Sequence, residues 1–207
     1  EMCIRDRSRT LRAFENAACI SKIVIVARAC DFDAIQKASA FVTKPLTITE
    51  GGKERQDSVS NGAALCDDAE YIAVHDAARP FITPEEIETV CADAEKYGAA
   101  TLAVPVKDTI KVAAADGTVC ATPERSTLRA IQTPQVFRAE LLRRAYETEY
   151  RPEFTDDASV VELSGEAVFL CEGERANLKI TTPEDTVIAE ALLADREETH
   201  ETDGENI

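Results

Sequence analysis

Four clusters of polar and charged residues lie at or beside the ends of predicted strands. They are residues 51–58 (GGKERQDS), 75–80 (HDAARP), 105–111 (PVKDTIK) and 177–181 (NLKIT). Ligands of parallel α/β sheets bind beyond the carboxyl ends of the strands, so these clusters are the candidate functional sites. Together they supply a carboxylate for a metal ion, several cations and a glycine turn. That combination is typical of phosphoryl or nucleotidyl transfer, in which catalysis is mostly positioning and charge stabilisation.

The residue types suggest individual roles. Asp76 suits Mg²⁺, which takes one or two protein carboxylates together with substrate phosphates, although a structural pair of Asp76 with Arg79 at a turn is an equal alternative. Lys179 has apolar neighbours in a predicted short strand, where an anionic ligand would explain a lysine. Gly51 and Gly52 allow close approach of the backbone to a ligand, although two glycines after a strand are more often only a turn.

Other polar residues have weaker functional interpretations. Thr109 could donate a hydrogen bond to a phosphate or hydroxyl group, or could simply be a polar residue at a strand exit. His75 is interpreted as a structural residue rather than a base or metal ligand, and residues 155–159 (TDDAS) in part as a helix cap. The sequence contains neither a GxxxxGK[ST] loop nor a GxSxG elbow, which argues against a P-loop enzyme and an α/β-hydrolase.

Composition excludes several classes of protein. The 207 residues include 23 Lys and Arg against 39 Asp and Glu, a net charge of −16 that argues against nucleic-acid and anionic-membrane binding. No apolar run approaches the ~18–20 residues that span a bilayer. The seven cysteines are widely spaced and include no CxxC pair, so we expect reduced thiols in a cytoplasmic protein rather than a metal centre or disulfide framework.

Alternating strand and helix patterns predict an α/β domain with a mostly parallel sheet. Strands are expected at residues 22–27, 46–50, 71–75, 99–105, 167–171 and 177–180, and helices at 10–17, 57–65, 84–97, 138–150, 156–163 and 183–194. Residues 109–113 and 118–122 are predicted to form a β-hairpin that turns at Asp116-Gly117. Because a hairpin inserted in such a domain has unpaired edges, we expect it to project as an arm and pack against a second subunit.

Six motifs then occur in order: GGKERQDSV, VHDAARPFIT, PVKDTIK, QTPQVF, TDDASVVE and NLKITTPED. As a set they resemble the 2-C-methyl-D-erythritol 4-phosphate cytidylyltransferases of the non-mevalonate isoprenoid pathway, from about Thr10 to Ala191. The resemblance implies a Rossmann-like nucleotidyltransferase sheet with helices on both faces, and a homodimer joined by the β-arm. It also implies Mg²⁺-dependent transfer of CMP from CTP to the sugar phosphate, with release of pyrophosphate.

The resemblance also implies a role for each matching residue. Those on the cytidine side would be Gly52, Lys53 and Ser58. Those around the ribose, the metal ion and the triphosphate would be Asp76, Ala77, the loop-supporting Arg79, and Lys179, which would stabilise the transition state. Those that hold the sugar phosphate would be Thr109, Thr133, Thr155 and Arg125, the last reaching across from the partner subunit's arm.

The two ends of the chain depart from the family pattern. Residues 1–9 are expected to be a non-native or unstructured leader, residues 10–194 the cytidylyltransferase domain with its arm at about 108–132, and residues 195–207 a disordered acidic tail. The domain is expected to lack the family's first strand and glycine-rich loop, which would leave this chain impaired. Two alternatives are a ribitol 5-phosphate cytidylyltransferase and a non-catalytic dimerising remnant.

Overall fold

The computed structural model describes residues 4–148, 151 and 153–204. Its helices are α1 Ile4–Asn16, α2 Phe32–Ala38, α3 Arg55–Ala63, α4 Pro84–Tyr97, α5 Ala139–Ala145, α6 Asp157–Leu163 and α7 Pro183–Gly204. Its strands are β1 Ile23–Ala27, β2 Leu46–Glu50, β3 Tyr71–Val74, β4 Ala99–Pro105, β5 Val112–Ala113, β6 Val119–Ala121, β7 Arg129–Arg138 and β8 Phe169–Glu172. Short 3₁₀ helices lie at Ala29–Asp31 and Arg125–Thr127.

The strands form three sheets. A four-stranded sheet has the order β3-β7-β4-β8, β1 and β2 form a parallel pair, and β5 and β6 form the predicted hairpin. Strand β7 runs antiparallel to both of its neighbours, whereas β4 and β8 are parallel. The mixed α/β architecture is confirmed, with β7 as an antiparallel strand inside it.

Alternating residues of β4 and β7 face two separate cores. On one face, Ala100 and Leu102 of β4 and Val136 of β7 pack in a cluster with residues of α1 and α4. On the other face, Ala99 of β4 and Phe137 of β7 pack in a cluster with residues of α5 and α6. Because successive side chains of a strand point to opposite faces, this division confirms that helices cover both faces of the sheet.

Local signals account for the best predicted helix, α4. Thr83 and Glu86 form a reciprocal capping box at its start, with Pro84 in the first turn. Gly98 ends the helix with a left-handed φ of 89°. Both ends were predicted from residue types alone, because caps depend on residues within one turn of the helix end.

Several predicted elements differ in the structure. Residues 177–180, predicted as a strand, form no strand; the carbonyl and the side chain of Asn177 bond instead to Gln132 and Thr133 of β7. Strand β7 and helix α2 were not predicted, and the helix expected at 138–150 spans Ala139–Ala145, with residues 149 and 150 outside the described part. The backbone is helical from Ile4 and through Gly204, where an unstructured leader and a disordered tail were expected. Among the described residues, no helix has the length and apolar character needed to cross a bilayer.

Candidate active site

The centre of the candidate site is an ion pair between Asp76 and Lys179, residues 103 positions apart. Asp76 follows the end of β3, and Lys179 lies in the loop that leads from β8 to α7. Lys179 Nζ lies 2.7 Å from Asp76 Oδ2, with 46% of the lysine side chain and 19% of the aspartate side chain exposed. The fold thus brings together a half-buried carboxylate and an accessible cation, as the two sequence clusters predicted.

Asp76 stays ionised despite its burial. Burial by itself would raise the pKa of the Asp76 carboxyl, but the hydrogen bond and charge of Lys179, with a further contribution from Arg55, outweigh it. The pKa of Asp76 therefore lies below its usual value. A charged carboxylate beside two cations can serve as a ligand for a hard cation without first losing a proton.

A chain of hydrogen bonds holds the backbone at Asp76. The Asp76 N–H donates to Thr133 Oγ1 at 3.0 Å, and Thr133 Oγ1 lies 3.1 Å from His75 Nδ1. His75 Nε2 lies 3.2 Å from the Arg79 carbonyl oxygen, which can only accept, so Nε2 carries the proton. Burial lowers the pKa of His75 to about 4, so the ring is neutral and Nδ1 accepts from the Thr133 hydroxyl.

These hydrogen bonds give His75 a structural role, as predicted. They also show that Thr133 is buried beside Asp76 and His75. Thr133 is only 4% exposed, and its hydroxyl is occupied by Asp76 and His75. In this structure the Thr133 hydroxyl orients the Asp76 loop, and its contact with a sugar phosphate stays a prediction. The antiparallel pairing of Val74 with Gln135 places Thr133 beside the end of β3.

The glycine turn after β2 packs against the first turn of α3. The Gly52 N–H donates to Ser58 Oγ at 3.0 Å, and Ser58 Oγ donates to the Glu54 carbonyl at 3.1 Å. A Cβ atom at Gly52 would lie 2.1 Å from Asp57 Cβ, which explains the glycine. Glu54 and Asp57 close the turn with a capping box. Ser58 and Gly52 thus fix the shape of the loop between β2 and α3.

Arg55, the first residue of α3, joins this turn to α6. Its guanidinium donates two hydrogen bonds to Asp157, Nη1 to Oδ1 at 3.0 Å and Nη2 to Oδ2 at 2.7 Å. Nη2 also lies 3.5 Å from Asp76 Oδ1. Asp157 is fully buried and also accepts a short hydrogen bond from the Tyr146 hydroxyl. Neither Arg55 nor Asp157 was among the predicted site residues.

Arg79 supports the segment that carries Lys179. Its Nη1 donates to the Asn177 carbonyl at 2.7 Å, and its Nη2 lies 3.3 Å from the Ile131 carbonyl. Asn177 Nδ2 in turn donates to the Thr133 carbonyl at 3.0 Å. The structure thus uses Arg79 to brace loops, and the alternative of an Asp76–Arg79 ion pair is not what it shows.

Gln135 caps the start of α6 from inside the sheet. Its side chain is 0% exposed, and Oε1 accepts from the backbone N–H groups of Asp157 at 3.0 Å and Ala158 at 2.9 Å. Its Nε2 donates to Asp156 Oδ2 at 2.8 Å. Asp156 is the N-cap residue, so the helix-cap interpretation of residues 155–159 is confirmed.

The remaining predicted residues have exposed side chains. They are Lys53 in the glycine turn, Ala77 after Asp76, Thr109 and Arg125 at the root of the hairpin, and Thr155 before α6. Arg125 Nη1 donates to the Lys107 carbonyl at 2.9 Å within its own chain. Exposure leaves these side chains open to a substrate, and no contact among them defines a site by itself.

Sequence reasoning missed Arg55, Asp157, Gln132 and Gln135. All four lie inside motifs that carried the resemblance, namely GGKERQDSV, TDDASVVE and QTPQVF. Burial was the missing signal: Asp157, Gln132 and Gln135 are 0%, 5% and 0% exposed, and buried polar side chains are bonded to something. In the QTPQVF motif, the position of polar residues beside apolar ones could have indicated that the polar side chains are buried.

The donor set around Asp76 fits a magnesium ion. Mg²⁺ takes one or two protein carboxylates when substrate phosphates complete its octahedron, and Asp76 supplies one. No group of three or more His, Cys, Asp or Glu side chains within the described residues could hold a metal ion without a substrate. The residues present therefore suit a metal ion that arrives with a phosphate-bearing ligand.

Comparisons with known proteins agree with this chemistry. A family model described as 2-C-methyl-D-erythritol 4-phosphate cytidylyltransferase matches residues 7–195. The protein of that name from Bacillus cereus (strain ATCC 10987 / NRS 248) is 46% identical over 189 residues, covering 89% of this chain and 83% of that protein. The protein of that name from Caldanaerobacter subterraneus subsp. tengcongensis is 44% identical over 192 residues, covering 89% and 84% respectively.

Solved structures show the same similarity. The crystal structure of 4-diphosphocytidyl-2C-methyl-D-erythritol synthase from Anaerococcus prevotii DSM 20548 matches with a TM-score of 0.86 and 31% identity, over 91% of this chain and 86% of that one. The 2-C-methyl-D-erythritol 4-phosphate cytidylyltransferase of Thermus thermophilus matches with a TM-score of 0.72 and 31% identity, over 91% and 89%. At this level of identity and coverage, the likeness extends beyond a shared sheet topology.

Proposed function

The chain belongs to the 2-C-methyl-D-erythritol 4-phosphate cytidylyltransferase family, and from this premise we propose the reaction and the roles of its residues. It is a nucleotidyltransferase that transfers CMP from CTP to 2-C-methyl-D-erythritol 4-phosphate in isoprenoid synthesis. The products are 4-diphosphocytidyl-2-C-methyl-D-erythritol and pyrophosphate. The observation that carries this proposal is the Asp76–Lys179 pair, set among the six family motifs.

The reaction exchanges one phosphorus–oxygen bond for another. A phosphate oxygen of the sugar phosphate forms a bond to the α-phosphorus of CTP, and the bond from that phosphorus to the bridging oxygen of pyrophosphate breaks. The attacking phosphate needs to lose no proton when it is a dianion. Catalysis then depends on bringing two anions together and stabilising the charge that develops at the α-phosphoryl group.

Lys179 supplies that stabilisation. Its side chain is 46% exposed and its ammonium group is bonded to Asp76 by one contact, so it can turn toward a bound triphosphate at little cost. Asp76 would hold Mg²⁺, which supplies a positive charge on the triphosphate oxygens when it is bound. The pairing seen here keeps both groups charged and close to one another before the substrate arrives.

The other predicted residues are assigned by their positions in the family motifs, and their exposure supports the assignment. The turn at Gly52, Lys53 and Ser58 would receive the cytosine base, and Ala77 would lie against the ribose. The exposed residues Thr109, Thr155 and Arg125 would hold the sugar phosphate. Thr133 and Arg79 would act through the loops that they brace.

The β-arm would join two copies of the chain. Val119 of the arm is 60% exposed and Val112 is 47% exposed, and β5 and β6 pair only with each other within the described residues. Exposed apolar residues on a hairpin whose outer edges are unpaired favour a protein partner. In a homodimer, Arg125 would enter the site of the other copy.

The free thiols support a cytoplasmic location. Cys19, Cys30, Cys66, Cys91, Cys120 and Cys171 are all unpaired in the described part of the chain. Unpaired cysteines are typical of proteins kept in a reducing compartment.

A pyrophosphate-release assay tests the proposed reaction. With CTP, Mg²⁺ and 2-C-methyl-D-erythritol 4-phosphate, the full chain should release pyrophosphate, and Lys179→Met should lower kcat by about 10²–10³-fold because it removes a preorganised charge. Lys37→Met, on the exposed side of α2, is the matched control and should leave kcat unchanged.

Replacing the acceptor tests the substrate. Ribitol 5-phosphate should give little pyrophosphate under the same conditions. Equal rates with both acceptors, or full activity of Lys179→Met, would overturn the proposal.

A further inference from the structure

Arg55 occupies a position from which it contacts two separate carboxylates of the site. It is the first residue of α3, directly after the glycine turn, and its guanidinium faces Asp157 at the first residue of α6. The two hydrogen bonds of 3.0 and 2.7 Å form the parallel fork of a bidentate arginine–carboxylate pair. The fork fixes the angle as well as the distance between the two helix ends.

Asp157, the partner of Arg55, depends on a cation beside it. Asp157 is fully buried, so removing its cation would leave an uncompensated charge in the interior. Tyr146 donates to the same carboxylate, and Gln135 holds the backbone N–H of Asp157. The carboxylate is thus anchored to the sheet, and Arg55 is the member of the pair whose other end is attached to the glycine turn.

The third contact of Arg55 reaches the reaction centre. Lys179 bonds Asp76 Oδ2 at 2.7 Å, whereas Arg55 Nη2 lies 3.5 Å from the other oxygen, Oδ1. The two cations therefore approach the carboxylate from different oxygens. If Lys179 turns to a bound triphosphate, Arg55 remains to hold the orientation of Asp76.

We propose that Arg55 is a positioning residue that locks the glycine turn, the Asp76 carboxylate and the start of α6 into one arrangement. The inference rests on the proposed function, because these three elements carry the assigned cytidine, metal and sugar-phosphate contacts. Lysine cannot replace arginine here, because a single ammonium group does not form the fork to Asp157 and reach Asp76 as well.

Arg55→Lys is the test, because it keeps the charge opposite Asp157 and so preserves folding better than a neutral residue. We expect kcat/KM to fall by about 10²-fold, since misplacing groups by about 1 Å costs that much. The losses should appear in KM for both substrates as well as in kcat. The matched control is Arg144→Lys, which alters an exposed arginine–glutamate pair of the same 2.7 Å length and should change neither.

The double variant Arg55→Gln with Asp157→Asn tests whether the pair acts as a unit. If it does, the double variant should lose no more kcat/KM than Arg55→Gln alone, because removing both charges leaves no orphaned buried carboxylate. Strictly additive losses would contradict the inference.

Hydrogen exchange separates this inference from the proposed function, because it needs no substrate. In Arg55→Lys the backbone amides of residues 52–58 and 157–160 should exchange faster, while those of α4 stay protected. Unchanged exchange at both helix ends, or faster exchange with wild-type kcat/KM, would overturn the inference. If Arg55→Lys shows the expected faster exchange but the wild-type chain releases no pyrophosphate, the proposed function alone would be overturned.

Discussion

Replacing Gln135 with leucine tests how much the fold depends on one polar side chain in the centre of its sheet. The substitution keeps the approximate volume but removes three hydrogen bonds, to the N–H groups of Asp157 and Ala158 and to Asp156 Oδ2. Both N–H groups belong to buried residues at the start of α6, where the helix itself offers no acceptor.

The expected loss of stability is calculated from the two buried N–H groups. The N–H groups of Asp157 and Ala158 would both lose their acceptor. Each buried donor left without a partner costs about 1–3 kcal/mol. The leucine side chain recovers on the order of 1 kcal/mol by burying apolar surface in place of an amide. The Asp156 carboxylate is only partly buried and can be hydrated. We therefore expect Gln135→Leu to lower the free energy of unfolding by about 2–4 kcal/mol.

Gln135→Glu keeps the shape of the side chain and changes only the group that faces Asp156. The introduced carboxyl keeps the acceptor for the α6 N–H groups but places an oxygen about 2.8 Å from the Asp156 carboxylate. Folding should therefore favour its protonated form and raise its pKa above the unfolded value of about 4.3. An acid whose pKa is raised in the fold loses stability as pH rises, so the penalty relative to wild type should be larger at pH ~8 than at pH ~5.

Urea unfolding followed by circular dichroism at both pH values measures these effects. Gln36→Leu, at an exposed position of α2, is the matched control and should change stability by less than about 0.5 kcal/mol. If Gln135→Leu unfolded like wild type, the cap on α6 would contribute nothing, and the reasoning from buried donors would be refuted. A pH-independent penalty in Gln135→Glu would refute the electrostatic part.

Two further predictions concern His75 and the arm. Because burial lowers the pKa of His75 to about 4, the unfolded chain binds more protons between about pH 6.5 and 4, so stability should fall as pH decreases through that range. Thermal unfolding of His75→Gln should show a weaker dependence there, and an identical slope would contradict the assignment. Val119→Asp should convert a dimer to a 22.5 kDa monomer in sedimentation and lower activity, whereas a monomeric, fully active wild type would contradict the arm-mediated dimer.

The hairpin and helix α4 could be predicted from the sequence because their signals are local. Asp116-Gly117 forms the turn, and Gly117 takes a φ of 85° that favours glycine. The capping box of α4 joins residues three positions apart. Such interactions form within one turn of chain, so their energies do not depend on the rest of the fold. The apolar runs of β1 to β4 were likewise sufficient to predict strands.

Strand β7 could not be predicted in the same way. Its central segment carries Gln132, Thr133 and Gln135, polar residues that argue against a buried strand. The tertiary structure reverses that argument, because each side chain meets a loop or helix end that needs a hydrogen-bond partner. Whether a polar residue in a strand faces solvent or a buried partner depends on what packs beside it.

By itself, the sequence determined the chemistry available at this site: the Asp76 carboxylate, the Lys179 cation and the glycine turn, in motifs that identify the family. Only the tertiary structure decided which charges meet. Arg55 and Asp157 are 102 residues apart, and nothing local distinguishes them from other charged residues at helix starts. Their pairing depends on the tertiary fold, which brings the first residues of α3 and α6 within hydrogen-bonding distance, because a buried carboxylate is stable only when a cation lies beside it.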